Sequence, residues 1–265
     1  MTTSHEAAVG KTLLALDTST ATLTVAVVSD GAVAGLAQST AERNHSVRVV
    51  PEIKRLMAEC GIAPAALDAV AVGQGPGSYT GVRIAVTVGK TLTWAWNKPL
   101  IGVSSPEALA LGAWEALQPT EHEAAGNKPR QWWIVPFMDA RRGQLYTARF
   151  SARPNGEWTR LDADGIRMGA AWREQLLEQA ADAGAMIWFA GDTASLGDWA
   201  KEASREGSEP IRFVSHAMHA GAIGKLAALK LARGEREDVH RFVPNYTQLA
   251  EAEAKRLAAV RGEQP

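Results

Sequence analysis

The sequence predicts an α/β protein with mixed sheets, in which one unit of three strands followed by alternating helices and strands occurs twice. Three observations predict it. Two apolar runs, residues 13–16 and 133–138, each end in an aspartate, Asp17 and Asp139. Each is followed by two strand-like segments joined through a turn, and then by helix-period segments alternating with short apolar runs. Between the two stretches lies a polar connection, residues 118–131, that lacks apolar periodicity.

In order, Leu13-Leu14-Ala15-Leu16-Asp17 reads as a buried strand closed by a carboxylate, and residues 23–28 and 32–38 follow as strands around the turn Ser29-Asp30-Gly31. Val49, Ile53, Leu56 and Cys60 recur at helical spacing, with Gly61 as the stop and Pro51 in the first turns or at a kink. Then come a strand at 67–72, a glycine-rich turn, a helix at 81–96, a strand at 100–103 and a helix from about 106 to 117. Past the connection, strands at 133–139, 144–150 and 157–161 surround the turn Arg153-Pro154-Asn155-Gly156. Helical patterns at 170–182 and 194–204 flank a strand at 186–190, with another strand at 211–214. Two such units in tandem imply a duplicated ribonuclease-H-like fold, the architecture of the actin, Hsp70 and sugar-kinase superfamily. The expected division is 1–117 for the first subdomain, 118–233 for the second, and 234–265 for a charged tail. In the tail, Leu249, Ala252, Arg256 and Ala259 give a weakly amphipathic helix.

The chain has 265 residues, 46% of them apolar, enough for one large core or two moderate ones. A net charge of -1 argues against wrapping nucleic acid unaided, so any such role is shared with a partner. Residues 1–10 lack a basic segment followed by an apolar one, and no uncharged apolar run approaches a membrane span. A soluble, cytoplasmic protein without a membrane partner is expected. The single cysteine, Cys60, allows neither an intrachain disulfide nor a cysteine metal cluster, and is expected to be a buried thiol.

The segment Gly73-Gln74-Gly75-Pro76-Gly77-Ser78-Tyr79-Thr80-Gly81-Val82-Arg83 is the hardest to explain by folding alone. A tight loop before a helix can aim backbone N–H groups, the Ser78 and Thr80 hydroxyls and the Arg83 guanidinium at an anion or a partner. It also reads as a strand-to-helix turn with its caps.

These residues, together with Leu16-Asp17-Thr18-Ser19-Thr20, Asn44-His45-Ser46 with Pro51, Gly102-Val103-Ser104, Asp139-Ala140-Arg141-Arg142-Gly143-Gln144-Leu145-Tyr146 and Pro244-Asn245-Tyr246, resemble the TsaB (YeaZ) family. That family serves the biosynthesis of tRNA threonylcarbamoyladenosine. The resemblance implies a non-catalytic scaffold that supports a catalytic TsaD-like paralogue and a TsaE-like ATPase, and meets tRNA only through the complex. Catalytic paralogues carry paired metal-binding histidines in a pattern like Val-Asn-His-x-Glu-x-His. The aligned stretch here is Val103-Ser104-Ser105-Pro106-Glu107-Ala108-Leu109, and serine and leucine cannot replace two imidazoles. Neither a metal nor a protease centre is expected.

The residues also admit other chemistry. Asp17 and Asp139 are candidates for a catalytic or nucleotide-contacting pair with Thr18 and Ser19, as in an ATP-dependent phosphotransferase or ATPase of this superfamily. Aspartates ending strands also cap turns. The loop after the first strand lacks glycines, and Ala190-Gly191-Asp192-Thr193 has one glycine where a double glycine is common. Gly89-Lys90-Thr91 imitates the end of a P-loop, but Ile84 stands where its first glycine belongs. No cofactor is therefore expected, with ATP or ADP admitted only at a subunit junction. His216-x-x-His219 has a spacing that places two rings on one helix face, without a nearby carboxylate or thiolate to complete a metal site.

Gly81, Ala85 and Gly89 form a small-residue ridge flanked by Val82, Val86 and Leu92, suited to a close helix neighbour, whether a partner or the chain's own sheet. The resemblance implies that this helix and the preceding one bundle with the catalytic paralogue, or with a second copy when the chain is alone. Val49, Ile53, Gly81, Val82, Ala85, Val86 and Gly89 are the expected interface, and Gly75, Pro76, Gly77, Ser78, Thr80 and Arg83 the expected structural or anion-binding loop.

Overall fold

Residues 10–40, 44–119, 131–195, 200 and 210–247 are described by the computed structural model. Strand β1 (Thr12–Asp17) lies at the centre of the first sheet. It pairs antiparallel with β2 (Thr22–Ser29), which carries β3 (Ala32–Thr40), and parallel with β4 (Ala69–Gly73), which carries β5 (Leu100–Val103). The second sheet repeats this order: β6 (Gln131–Asp139) is central, β7 (Gln144–Ala152) and β8 (Trp158–Met168) meander on one side, and β9 (Ala185–Gly191) and β10 (Ile211–Ser215) run parallel on the other. This is the duplicated ribonuclease-H-like fold that the sequence predicts.

Alternation along buried strands sorts the side chains by size. On one face of the first sheet stand Leu14, Leu16, Val25, Val27, Val70 and Val72, which receive helices α1 (His45–Glu59) and α2 (Tyr79–Trp96). Its other face is built largely from alanines, Ala15, Ala26, Ala69 and Ala71, so a helix can approach closely. That helix is α5 (Ala220–Ala232), which comes from the second half of the chain. In return, α3 (Ser105–Leu117), from the first half, places Ala110, Ala113 and Trp114 on the second sheet against Trp132 and Ile134. Helix α4 (Gly169–Ala183) covers the remaining face through Trp172, Leu176 and Ala180. Because α3 and α5 also pack against each other, the lobes share a helical seam between the sheets.

Several details differ from the sequence expectations. Strand β8 continues to Met168, well beyond residue 161, because its alternating charged residues suit an edge strand with one wet face. Within the helix expected at 194–204, the described residues are the end of a short 3-10 turn, Thr193–Ser195, and a helical Ala200; 196–199 and 201–209 lie outside the described residues, as do the expected tail helix and most of the connection at 118–131. Helix α5 has no counterpart among the sequence expectations. The tail begins as a strap on the first lobe. Glu237 bridges to Leu100 at the edge of β5, and Phe242 is buried against Gly102. Lys90 donates to the Phe242 carbonyl at 2.8 Å, and the Asn245 N–H donates to the Gln74 carbonyl at 2.8 Å.

Gly89 lies on α2 directly over Val72, and a Cβ there would overlap the valine methyl. Helix propensity alone favours Gly89→Ala by about 1 kcal/mol. Overpacking opposes it by about 1–3 kcal/mol, because the sheet beneath cannot recede. The expected net result is destabilisation, read as a lower midpoint in urea with an unchanged m-value.

Candidate functional site

The end of β1 is a closed polar knot. Asp17 is fully buried. Its Oδ1 accepts the Ser19 N–H at 2.6 Å and the Ser19 hydroxyl at 2.7 Å, while Oδ2 accepts the Ser105 hydroxyl at 2.7 Å. Ser105 Oγ in turn accepts the Gly75 N–H at 3.0 Å, and the Ser105 N–H donates to the Gly75 carbonyl at 3.1 Å. Burial raises the Asp17 pKa above its ordinary value, against the hydrogen bonds from Ser105 and Ser19, which lower it. Thr18 and Ser19 are buried as well. The Thr18 hydroxyl donates to the Gly81 carbonyl at 2.6 Å, and the Ser19 carbonyl accepts the Ser78 N–H at 2.8 Å.

The knot spends the groups that made the glycine loop look like an anion site. Gly75, Pro76 and Gly77 are buried, with a cis bond between Gly75 and Pro76. The Gly75 and Ser78 N–H groups point inward to Ser105 and Ser19. Ser78 caps α2 by accepting the Gly81 N–H at 3.4 Å, and a Cβ on Gly81 would overlap the Thr18 carbonyl. Outside the knot, Ser78, Tyr79, Thr80 and Arg83 are exposed. The Arg83 guanidinium lies 4.4 Å from the Tyr79 ring centroid, and its Nε donates to the Tyr246 hydroxyl at 3.0 Å. Sequence reasoning missed Tyr246 as this partner, because 163 residues separate the two.

The remaining candidates separate. Asp139 is exposed, and its Oδ1 accepts the Arg141 N–H at 2.8 Å as a turn cap. Asp17 offers no open face for it to cooperate with. Leu109, aligned with a metal-binding histidine of the catalytic paralogues, is buried in the apolar core, and Glu107 binds Arg160 and the Trp158 indole. His216 and His219 share no helix. His219 caps α5, its Nδ1 accepting the Gly221 N–H at 3.0 Å, while the His216 Nε2 is buried against Gly112 without a hydrogen-bond partner among the described residues. Burial lowers both pKa values, reinforced at His216 by the neighbouring His219.

The expected interface residues need correction. Val49, Ile53, Val82, Ala85 and Val86 are at most 4% exposed, and Gly81 and Gly89 are buried as well. The small-residue ridge faces the chain's own sheet, because β1 and β4 lie directly beneath it and Gly81 and Gly89 allow the contact. What faces outward is the opposite stripe. On α1 it includes Val47 at 72% and Val50 at 50% exposure, and on α2 it includes Thr80, Thr87, Thr91 and Trp94, the last 74% exposed. The signal was present as apolar residues spaced on the solvent side of an otherwise amphipathic helix.

Two sheets of the same strand order, sharing a helical seam, define a protein of the actin, Hsp70 and sugar-kinase class. Residues 30–256 match the family described as TsaD: tRNA N6-adenosine threonylcarbamoyltransferase. The tRNA threonylcarbamoyladenosine biosynthesis protein TsaB of Bacillus subtilis is 37% identical over 245 residues, covering 92% of this chain and 97% of the relative. The TsaB protein of Escherichia coli is 34% identical over 154 residues, covering 58% of this chain and 61% of the relative. The structure of YeaZ from Pseudomonas aeruginosa superposes with a TM-score of 0.66 at 28% identity, covering 89% of this chain and 99% of that one. The chain belongs to the TsaB family of tRNA threonylcarbamoyladenosine biosynthesis proteins.

The buried titratable groups lead to three expected outcomes. Asp17→Ala leaves three buried donors without their acceptor, at about 1–3 kcal/mol each, so unfolding in denaturant should show a loss of about 3 kcal/mol or more. Since the folded-state pKa of Asp17 is raised, wild type should lose stability relative to Asp17→Asn as pH rises from about 4 through that pKa. For His216 and His219 the shift is downward, so their contribution is complete above about pH 6.5 and lost as pH falls below it. His216→Gln should flatten the fall in melting temperature between about pH 6.5 and 5.

Proposed function

We propose that this chain is a cytoplasmic, non-catalytic scaffold subunit in the formation of tRNA N6-threonylcarbamoyladenosine. It docks through the outer faces of α1 and α2 onto a TsaD-like threonylcarbamoyltransferase and supports a TsaE-like ATPase. The observation that carries this reading is the pairing of a sealed polar knot with an apolar outer stripe. The carboxylate in the position of a catalytic acid is buried and fully hydrogen-bonded, whereas Val47, Val50 and Trp94 are left in water. A solvated helix face ordinarily carries charge. The outer face of α2 has no charged residue between Arg83 and Trp94 except Lys90, which is tied to the strap. The outward side of α1 sets Val47 and Val50 beside the ion pairs Arg48–Glu52 and Arg55–Glu59, so it is the nearly uncharged, partly apolar face of α2 that is best suited to burial against another helix pair.

The same stripe supports a homodimer when the chain is alone. The chain itself holds no cofactor, ATP or ADP being bound at most at a junction between subunits, and tRNA is reached through the assembled complex. The names of the relatives support the pathway, and the docking face supports the role within it.

Size-exclusion chromatography with light scattering, on this chain mixed with the threonylcarbamoyltransferase of the same genome, tests the proposal. Wild type should form a heterodimer, and Val50→Arg with Thr87→Arg should lose it by tenfold or more in affinity while keeping the wild-type melting temperature. Ala85→Arg, at a buried position, should instead unfold the chain. A wild-type chain that forms no complex, or a stable one that binds Mg-ATP tightly by itself, would overturn the scaffold reading in favour of a phosphotransferase or ATPase.

A further inference from the structure

The β6–β7 hairpin carries a residue choice that folding disfavours. Arg141 and Arg142 have φ values of 67° and 55°, both left-handed, and Gly143 follows at 74°. Arg142 and Gly143 hold the central positions of a tight turn closed by the Gln144 N–H donating to the Arg141 carbonyl at 2.9 Å. Hairpin turns of this hand favour asparagine followed by glycine, and a side chain longer than asparagine's brings no compensating local hydrogen bond. Two adjacent arginines in the left-handed region therefore call for a reason outside the fold.

Their side chains are also unspent. Both are exposed, and neither makes an ion pair or side-chain hydrogen bond among the described residues, whereas Arg48, Arg55, Arg149, Arg153 and Arg160 each pair with a carboxylate. The nearest carboxylate in sequence, Asp139, is turned onto the Arg141 N–H. The tip has a defined place. Met138, the residue before Asp139, reaches Gly77 in the Gly-Pro-Gly loop beside Ser19, so the base of the hairpin that carries the arginines stands against the loop leading into α2.

We propose that Arg141 and Arg142 are a phosphate clamp for the backbone of RNA. The inference rests on the reading under Proposed function, in which the docked chain stands beside tRNA. A planar guanidinium matches a phosphate through two parallel hydrogen bonds, and a rigid turn holding two of them matches neighbouring phosphates. Among the described residues, the apolar area beside the tip is confined to the half-exposed Met168 next to Gly143, whereas phosphate contacts need none. The chain's net charge of -1 makes such a contact local, an addition to what the partner supplies.

The test compares wild type with Arg141→Asn/Arg142→Asn, each in complex with the threonylcarbamoyltransferase, by fluorescence anisotropy on unmodified tRNA over a salt series. The asparagines suit the left-handed turn, so the variant should melt at the same or a higher temperature and form the complex equally well. Its tRNA affinity should fall about five- to tenfold at low salt, and its slope of log K against log salt should shrink by about one to two. Unchanged affinity and slope in an intact complex would overturn the clamp. So would a variant that keeps tRNA but loses Mg-ATP binding to the complex. If wild type forms no complex, the scaffold reading has failed, and the lone chain is titrated with tRNA at low salt: arginine-dependent binding upholds the clamp, and its absence overturns it.

Discussion

The carboxylate of Asp17 is the constraint on which the first lobe is organised. It sits at the end of the central strand, out of reach of water, and can stay there only while donors surround it. Ser19 supplies two of them from the adjoining turn, and Ser105 supplies the third from the start of α3. Through Ser105 the same carboxylate fixes the Gly75 backbone, and the adjoining Thr18 hydroxyl and Ser19 carbonyl fix where α2 begins. One buried carboxyl group thus sets the relative positions of β1, the glycine loop, α2 and α3.

Because α3 belongs to the seam between the sheets, the knot also anchors the second lobe. The seam is stabilised by exchange: α3 crosses to the second sheet and α5 crosses back to the alanine-rich face of the first. Neither sheet would have both faces covered by helices from its own half of the chain. A cut in the connection around residue 120 would therefore separate two fragments that each expose a core face, which distinguishes this arrangement from two domains on a linker.

The glycine loop shows how one composition serves opposed purposes. Glycines before a helix let backbone approach a phosphate, and they equally let backbone approach other backbone. Here Gly81 meets the Thr18 carbonyl and Gly77 meets Ser19, so the loop is packed against the β1 turn. The exposed chemistry has moved one turn outward, to Tyr79, Arg83 and the Tyr246 that the strap brings to them. Beyond the packed loop, the exposed features are a helix pair presenting Val47, Val50 and Trp94 and a hairpin presenting Arg141 and Arg142 at the end of the other sheet.

The duplication, the Gly-Pro-Gly loop, the family and most of the strand and helix order were legible in the sequence; α5, the helix that covers the alanine-rich face of the first sheet, was not. Periodicity and turn residues are local signals, and a repeated opening such as Leu16-Asp17 and Met138-Asp139 survives without any coordinates. The sequence also determined that Gly81, Ala85 and Gly89 share one helix face. Only the tertiary structure decided that this face looks at β1 and β4 and that Val47, Val50 and Trp94 look away. Helical spacing groups residues by direction but does not say which direction is inward when both sides carry apolar residues. For the same reason the roles of Asp17 and Asp139, identical as strand-ending aspartates, came apart only in three dimensions. One is enclosed by the loop and α3, while the other stands in water at a hairpin turn.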